Sequence, residues 1–342
     1  MALELPASPA DAGTGPVAPS LAGGLAPGEG ALSAPVTERF KATRVVSAHV
    51  TVWQRMAEIW RSRELLIYLV RTEIRVKYKN SALGLVWSMI SPAMTLAVYT
   101  IIFGFFLKNG IPNFAIYLFS GLLLWNFFMT GVMAATGAVV NNAGLVKKVS
   151  FPREILALAA IGSAGVFLFF QACVMAIFML VLGTSPAWPL MWLLLVALVP
   201  TVIFSSALAL LFASVNVYLR DTQHLVEVVV GAVWFWACPI VYSYQGQVAA
   251  KLTSHGVKWL YFANPMTPLV LTFQRVLYNR PGLVPLTTAH APGHPTLEQL
   301  LPPWGALSYV QMDAIVLGLS LVLLYAAMVV FGRLAGNFAE EL

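Results

Sequence analysis

Six long apolar runs constrain this chain more than any other feature. They lie near residues 82 to 107, 114 to 137, 157 to 183, 188 to 215, 225 to 243 and 311 to 332. A hydrocarbon core of about 30 Å takes about 20 helical residues to cross, at 1.5 Å per residue, and each run is of that order. With 59% hydrophobic and only 10% charged residues, the chain lacks the polar surface that a water-soluble globule needs. Continuously apolar runs specify helices, because barrel strands alternate apolar and polar positions over about ten residues. The expected fold is an all-α membrane protein with six transmembrane helices. The break between the third and fourth spans rests on Gly183, Thr184, Ser185, Pro186 and Pro189 alone.

Six spans put both termini on one side, and Lys and Arg say which. From Arg55 onward, one side carries Arg55, Arg61, Arg63, Arg71, Arg75, Lys77, Lys79, Lys147, Lys148, Arg153, Arg220 and Arg333, twelve in all. The other carries five, Lys108, Lys251, Lys258, Arg275 and Arg280. Both termini are therefore expected in the cytoplasm. This bias, with anionic lipid headgroups, accounts for the net charge of +6 and leaves no call for a nucleic-acid partner. Cys173 and Cys238 fall inside spans, and no disulfide is expected. The first residues lack a basic stretch followed by an apolar core, so the first span is expected to direct insertion.

Three regions follow. Residues 1 to 36, rich in Ala, Pro, Gly and Ser, are expected to be a disordered cytoplasmic tail. Residues 37 to 80 hold Trp53, Met56 and Trp60 at i, i+3 and i+7, and Leu66, Val70 and Ile74 at i, i+4 and i+8. That spacing predicts one or two amphipathic helices along the membrane surface, or a small helical subdomain packed on itself. Residues 81 to 342 form the six-helix domain. Between spans two and three, Leu145, Val146, Val149 and Phe151 are interleaved with Lys147, Lys148 and Arg153. This fits a short helix docked into a partner's groove, or a turn whose apolar residues touch lipid. Between spans five and six, an apolar stretch from Trp259 to Tyr278 is broken by Asn264, Pro265 and Pro268, which predicts a re-entrant or interfacial helix pair. Residues 281 to 303 are expected to be an exposed loop.

Chemistry is sparse. There is no Walker A loop, HExxH, CxxC, GxSxG or DxD arrangement, and the five histidines are scattered, so no catalytic residue or metal site is expected. Glu227 is the one carboxylate expected near the interior, with Arg220, Asp221 and His224 beside it. Arg220, His224 and Glu227 at i, i+4 and i+7 fit either an ion-pair ladder or a moving gate. The aromatic residues Trp87, Tyr99, Trp125, Trp234, Trp236 and Tyr242 suit a headgroup belt, and equally a wall along which sugar rings slide.

Four segments taken in order carry a resemblance from about residue 60 onward. They are RTEIRVKYKNSALGLVWSMISP from Arg71 to Pro92, LVKKVSFPREILALA from Leu145 to Ala159, NVYLRDTQHLVEVV from Asn216 to Val229, and NPMTPLVLTFQRVLY from Asn264 to Tyr278. Between six spans they resemble the permease subunits of bacterial ABC transporters that export polysaccharides, the O-antigen and teichoic-acid exporter family. The resemblance implies a homodimeric permease in the plasma membrane, paired with two copies of a cytosolic ATPase that binds the ATP and magnesium. It implies a non-enzymatic chain, without cofactors of its own, that moves a glycan on a polyprenyl-pyrophosphate lipid. It makes Leu145 to Arg153 the coupling helix, and the loop around Asn264, Pro265 and Arg275 a pair of external gate helices. Arg71, Arg75, Lys77 and Lys79 would meet the pyrophosphate, and the first and fifth spans would line the channel. The tail and residues 281 to 303 are not family features. Alternatives are an ABC permease for a smaller amphiphile and a membrane-embedded glycosyl- or acyltransferase; a channel or secondary carrier is disfavoured by the scarcity of intramembrane charge.

Overall fold

Among the described residues four helices are long and apolar enough to cross a membrane, over Phe114–Asn141, Glu154–Val181, Trp188–Tyr218 and Ala306–Asn337. The structure, a computed structural model, describes residues 51–79, 81, 83, 86–106, 111–256, 261–280, 282–286 and 296–342. The expected tail, and residues 37 to 50 after it, lie outside these. Helices α1 (Val52–Arg61) and α2 (Arg63–Lys77) lead to α3 (Trp87–Ile101), which runs straight into a π-helical turn over Ile102–Phe106. Next come α4 (Phe114–Asn141), α5 (Ala143–Lys148), α6 (Glu154–Val181) and α7 (Trp192–Tyr218). The short α8 (Thr222–Leu225) continues as π-helix over Val226–Trp234. After α9 (Ala250–Ser254) and α10 (Met266–Leu277), the long α11 (Ala306–Leu334) is followed by α12 (Phe338–Glu341).

The expected second, third, fourth and sixth spans are thus single long helices. The first and fifth are wound less regularly. In the fifth, Val226, Val228, Val229, Val230 and Gly231 are poor helix formers, and the backbone opens from α to π geometry where they cluster. The break between α6 and α7 falls at Gly183, whose φ of +64° a side chain would resist. Gly183 N–H donates to Leu180 O at 3.2 Å and Thr184 N–H to Met179 O at 2.9 Å, the two bonds of a Schellman stop.

Two clusters make the core. One joins α4, α7 and α10 through Tyr117, Phe128, Phe204 and Val270; the other is rich in small residues such as Ala135, Ala160, Ala209 and Ala213. Small residues let helices approach closely in lipid, where the hydrophobic effect drives no association. At Gly131 an added Cβ would stand 2.9 Å from Ile161 Cδ1, so α4 and α6 meet nearly backbone to backbone. Helix α4 is the centre: 72% of its most apolar stretch is buried, against 22% for α6.

The bundle has two distinct ends. At one, called the α5 end, α1, α5, the start of α6 and the ends of α7 and α11 converge. At the other, α10 is buried along most of its length against α4 and α7. It is tied there by Ala187 N–H to Val276 O at 2.8 Å and Tyr278 OH to Pro112 O at 2.8 Å. Residues 281 to 303, expected to be a loop, instead contain an antiparallel ladder of Leu283–Leu286 with Thr296–Gln299. A two-stranded ribbon is all edge, so Pro285, which has no N–H, fits within it.

Candidate functional site

Helix α5 has six residues, too few to hold a helix unaided, so its geometry depends on what it rests on. Val146 is buried in the small-residue cluster, and Leu145 and Phe151 lean on the same cluster. Lys147, Lys148 and Val149 face outward. Val149 turns extended, with φ −126° and ψ 134°, ahead of Pro152. Arg153 donates to the carbonyl oxygen of Ala335 and stands 5.8 Å over the ring of Phe338. Of the seven residues expected to meet a partner, Lys147, Lys148 and Val149 are presented outward, whereas Val146 and Arg153 are engaged within the chain.

A buried ion pair holds this end together. Arg55 donates to Glu154 Oε1 at 2.8 Å, their side chains 19% and 5% exposed, and to Gly332 O at 3.3 Å. One guanidinium thereby joins α1, the start of α6 and the end of α11. The sequence holds a signal for it: Arg55 shares a helix face with Val52 and Ile59, which pack inward, while Trp53, Met56 and Trp60 on the other face are exposed.

Helix α2 departs from a helix lying flat. Val70 meets Gly162, Glu73 lies beside Ser163, and Lys77 sits 4.1 Å over the ring of Phe167. The contacts advance in the same direction along both chains, so α2 runs parallel to the first half of α6. This splits the four expected lipid-facing cations between two faces. All four side chains are exposed; Lys77 differs in that its ammonium also lies against the Phe167 ring of α6, and partial burial there lowers its affinity for a proton. Burial raises Glu73 above the usual carboxylate range, partly opposed by the Ser163 hydroxyl.

The expected cytoplasmic gate is only partly assembled. His224 Nδ1 lies 3.7 Å from Glu227 Oε2, an ion pair when the imidazole is protonated. Arg220 falls in the turn between α7 and α8 with Asp221, so helical spacing does not bring it to His224. Glu227 is exposed rather than interior. Besides Glu154, a buried carboxylate is Asp313 on α11, 1% exposed, whose oxygens accept from the Thr272 hydroxyl of α10 at 3.2 and 3.1 Å. Asp313 lies just inside the sixth apolar run, where its charge is indistinguishable by sequence from a boundary residue.

The six expected channel aromatics do not meet within one chain. Trp125 is buried against Phe128 and Phe235, and Trp234 stands edge-on to Phe128 and Phe204. Tyr242 bonds Trp236 O and the Tyr261 hydroxyl, Tyr99 packs near Phe103, and Trp87 and Trp236 are exposed. An open cleft of about 470 Å³ lies instead along α4 near the α5 end, lined by Met129, Thr130, Met133, Ala134, Gly137 and Gln223. On the opposite end, Asn264 Oδ1 accepts from Met266 N–H at 3.0 Å and its Nδ2 donates to Cys238 Sγ at 3.2 Å, starting α10 after Pro265. Arg275 reaches Asn279 Oδ1 at 3.5 Å. Among the described residues no cluster of His, Cys, Asp and Glu is arranged to hold a metal ion.

Comparison with known proteins adds a second line. Residues 64–278 match the family described as ABC-2 type transporter. The O-antigen export system permease protein RfbA of Myxococcus xanthus is 29% identical over 286 residues, covering 83% of this chain and 98% of that protein. A permease of the same name from Klebsiella pneumoniae is 26% identical over 216 residues, covering 63% of this chain and 81% of that protein.

Proposed function

The chain belongs to the ABC-2 type transporter family, and from that premise we propose that it is the membrane subunit of an ATP-driven exporter of a cell-envelope polysaccharide. The observation that carries this reading is the similarity to an O-antigen export permease through nearly the whole length of that relative. In this reading the first run, an α-helix ending in a π turn, and the π-wound fifth run complete six spans, both termini are cytoplasmic, and the membrane is the bacterial plasma membrane. Two copies pair with two copies of a cytosolic ATPase, which binds ATP and magnesium and carries out hydrolysis. The cargo is a glycan on a polyprenyl-pyrophosphate lipid, its phosphates met by the exposed Arg71, Arg75, Lys77 and Lys79.

Docking of the ATPase falls to α5. Its supports are placement and chemistry: a short basic segment with outward Lys147, Lys148 and Val149, set where α1, α6, α7 and α11 converge. A partner that moves α5 therefore acts on several spans at once, the kind of two-state repacking that opens and closes a passage.

The test is a pull-down of the tagged chain, expressed with its chromosomal neighbours in mild detergent, followed by an ATPase assay. Recovery of a stoichiometric nucleotide-binding subunit, lost in Val149→Asp, is the expected result. A chain that purifies alone and without ATPase activity overturns the reading.

A further inference from the structure

We propose that residues 335 to 342, the turn and short helix that follow α11, are the positioning element of the coupling segment, with Phe338 as the wedge that holds α5 in register with the spans. This rests on the reading of α5 as the ATPase docking helix.

Phe338 is 0% exposed although α12, which carries it, is only four residues long. So short a helix has no stability of its own. Its place is set by what it touches. The ring stands edge-on to Phe331 of α11 at 5.4 Å and tilted against Tyr218 of α7 at 6.2 Å. Arg153, the residue before α6, covers it at 5.8 Å and also donates to Ala335 O. Tyr218 OH closes the other flank by donating to Leu334 O at 2.9 Å. Val146, the buried anchor of α5, belongs to the same cluster.

The segment therefore touches α5, the start of α6 and the ends of α7 and α11 together. Without it, Leu145, Val146 and Phe151 would still rest on the small-residue cluster, but α5 would be followed by residues 149 to 152, which lie outside any helix and would absorb part of a push on Lys147, Lys148 or Val149. With Phe338 in place, the push passes through Val146 into packed side chains, which transmit displacement because they are close-packed. Arg153 supplies the second link, fixing the start of α6 to the same segment.

The test uses the full chain in detergent, with Cys173→Ala and a nitroxide attached at Lys148→Cys on α5, or at Glu58→Cys on α1 as control. Phe338→Ala and Arg153→Gln are each expected to shift the spectrum at position 148 to the fast-tumbling component and to leave position 58 unchanged, and Phe338→Leu to restore it. An unchanged spectrum at 148 in both variants, or loosening at both positions, overturns the proposal. With the ATPase subunit co-expressed, Phe338→Ala is expected to keep the partner bound while glycan export is lost; full export overturns the positioning role. The docking reading fails separately, if Val149→Asp retains the ATPase, and that result leaves the spectra interpretable.

Discussion

Glu154 is buried at the start of α6 with Arg55 as its partner, and the cost of separating them is the cost of an uncompensated charge. Arg55→Ala is expected to lower stability by about 3–5 kcal/mol, read as a fall in Tm in detergent from the chain's tryptophan fluorescence. The double change Arg55→Ala with Glu154→Gln should recover part of that loss, because contacting residues are not additive. At the opposite end, Thr272→Val leaves the Asp313 carboxylate without the hydroxyl that satisfies it, costing about 1–3 kcal/mol. Thr272→Ser should melt close to the parent. Single residues were the least legible level. The charge on the inward face of α1 marks Arg55 as unusual, but Asp313 sits at a span boundary where an exposed and a buried carboxylate read alike. Phe338 gives no sequence signal, since its burial depends on α5 and α7, far away in the chain.

Helices were read more successfully than their neighbours. Period and length disclose α4, α6, α7 and α11, and Gly183 marks the stop that divides α6 from α7. The spacing of Trp53, Met56 and Trp60 and of Leu66, Val70 and Ile74 predicts one or two amphipathic helices before the first apolar run, and the chain forms two. What that spacing does not tell is whether the apolar face of α2 meets lipid or another helix, because the period is the same. A cysteine pair separates the two. A Cβ placed on Gly162 lies 4.0 Å from Val70 Cβ, within disulfide reach. Val70→Cys with Gly162→Cys should therefore close on mild oxidation and protect both thiols from alkylation, whereas a helix lying flat across the membrane surface leaves both reactive. The π-helical stretch in the fifth run was hidden because β-branched residues in an apolar run fit a buried strand, a helix or looser winding equally well.

For the whole molecule, the apolar runs and the ordered motifs point to the family, while the passage is not legible in one chain because its expected aromatics are dispersed. Sidedness is testable at this scale. In a Cys173→Ala background, a membrane-impermeant maleimide should label Lys147→Cys only in inverted vesicles and Gly282→Cys only in right-side-out ones. Labelling of both from one side removes the six-span arrangement. The enclosure of α4 has a further meaning for how the chain enters the membrane. Among the four long helices it is the least apolar and the most surrounded by protein. Its transfer from the insertion machinery into bare lipid is therefore the least favourable of the four. Its stable destination is the groove between α6 and α7, both made after it, so α4 waits during synthesis for the segments that will shelter it. Substitutions that make α4 greasier should ease its insertion and spoil its fit.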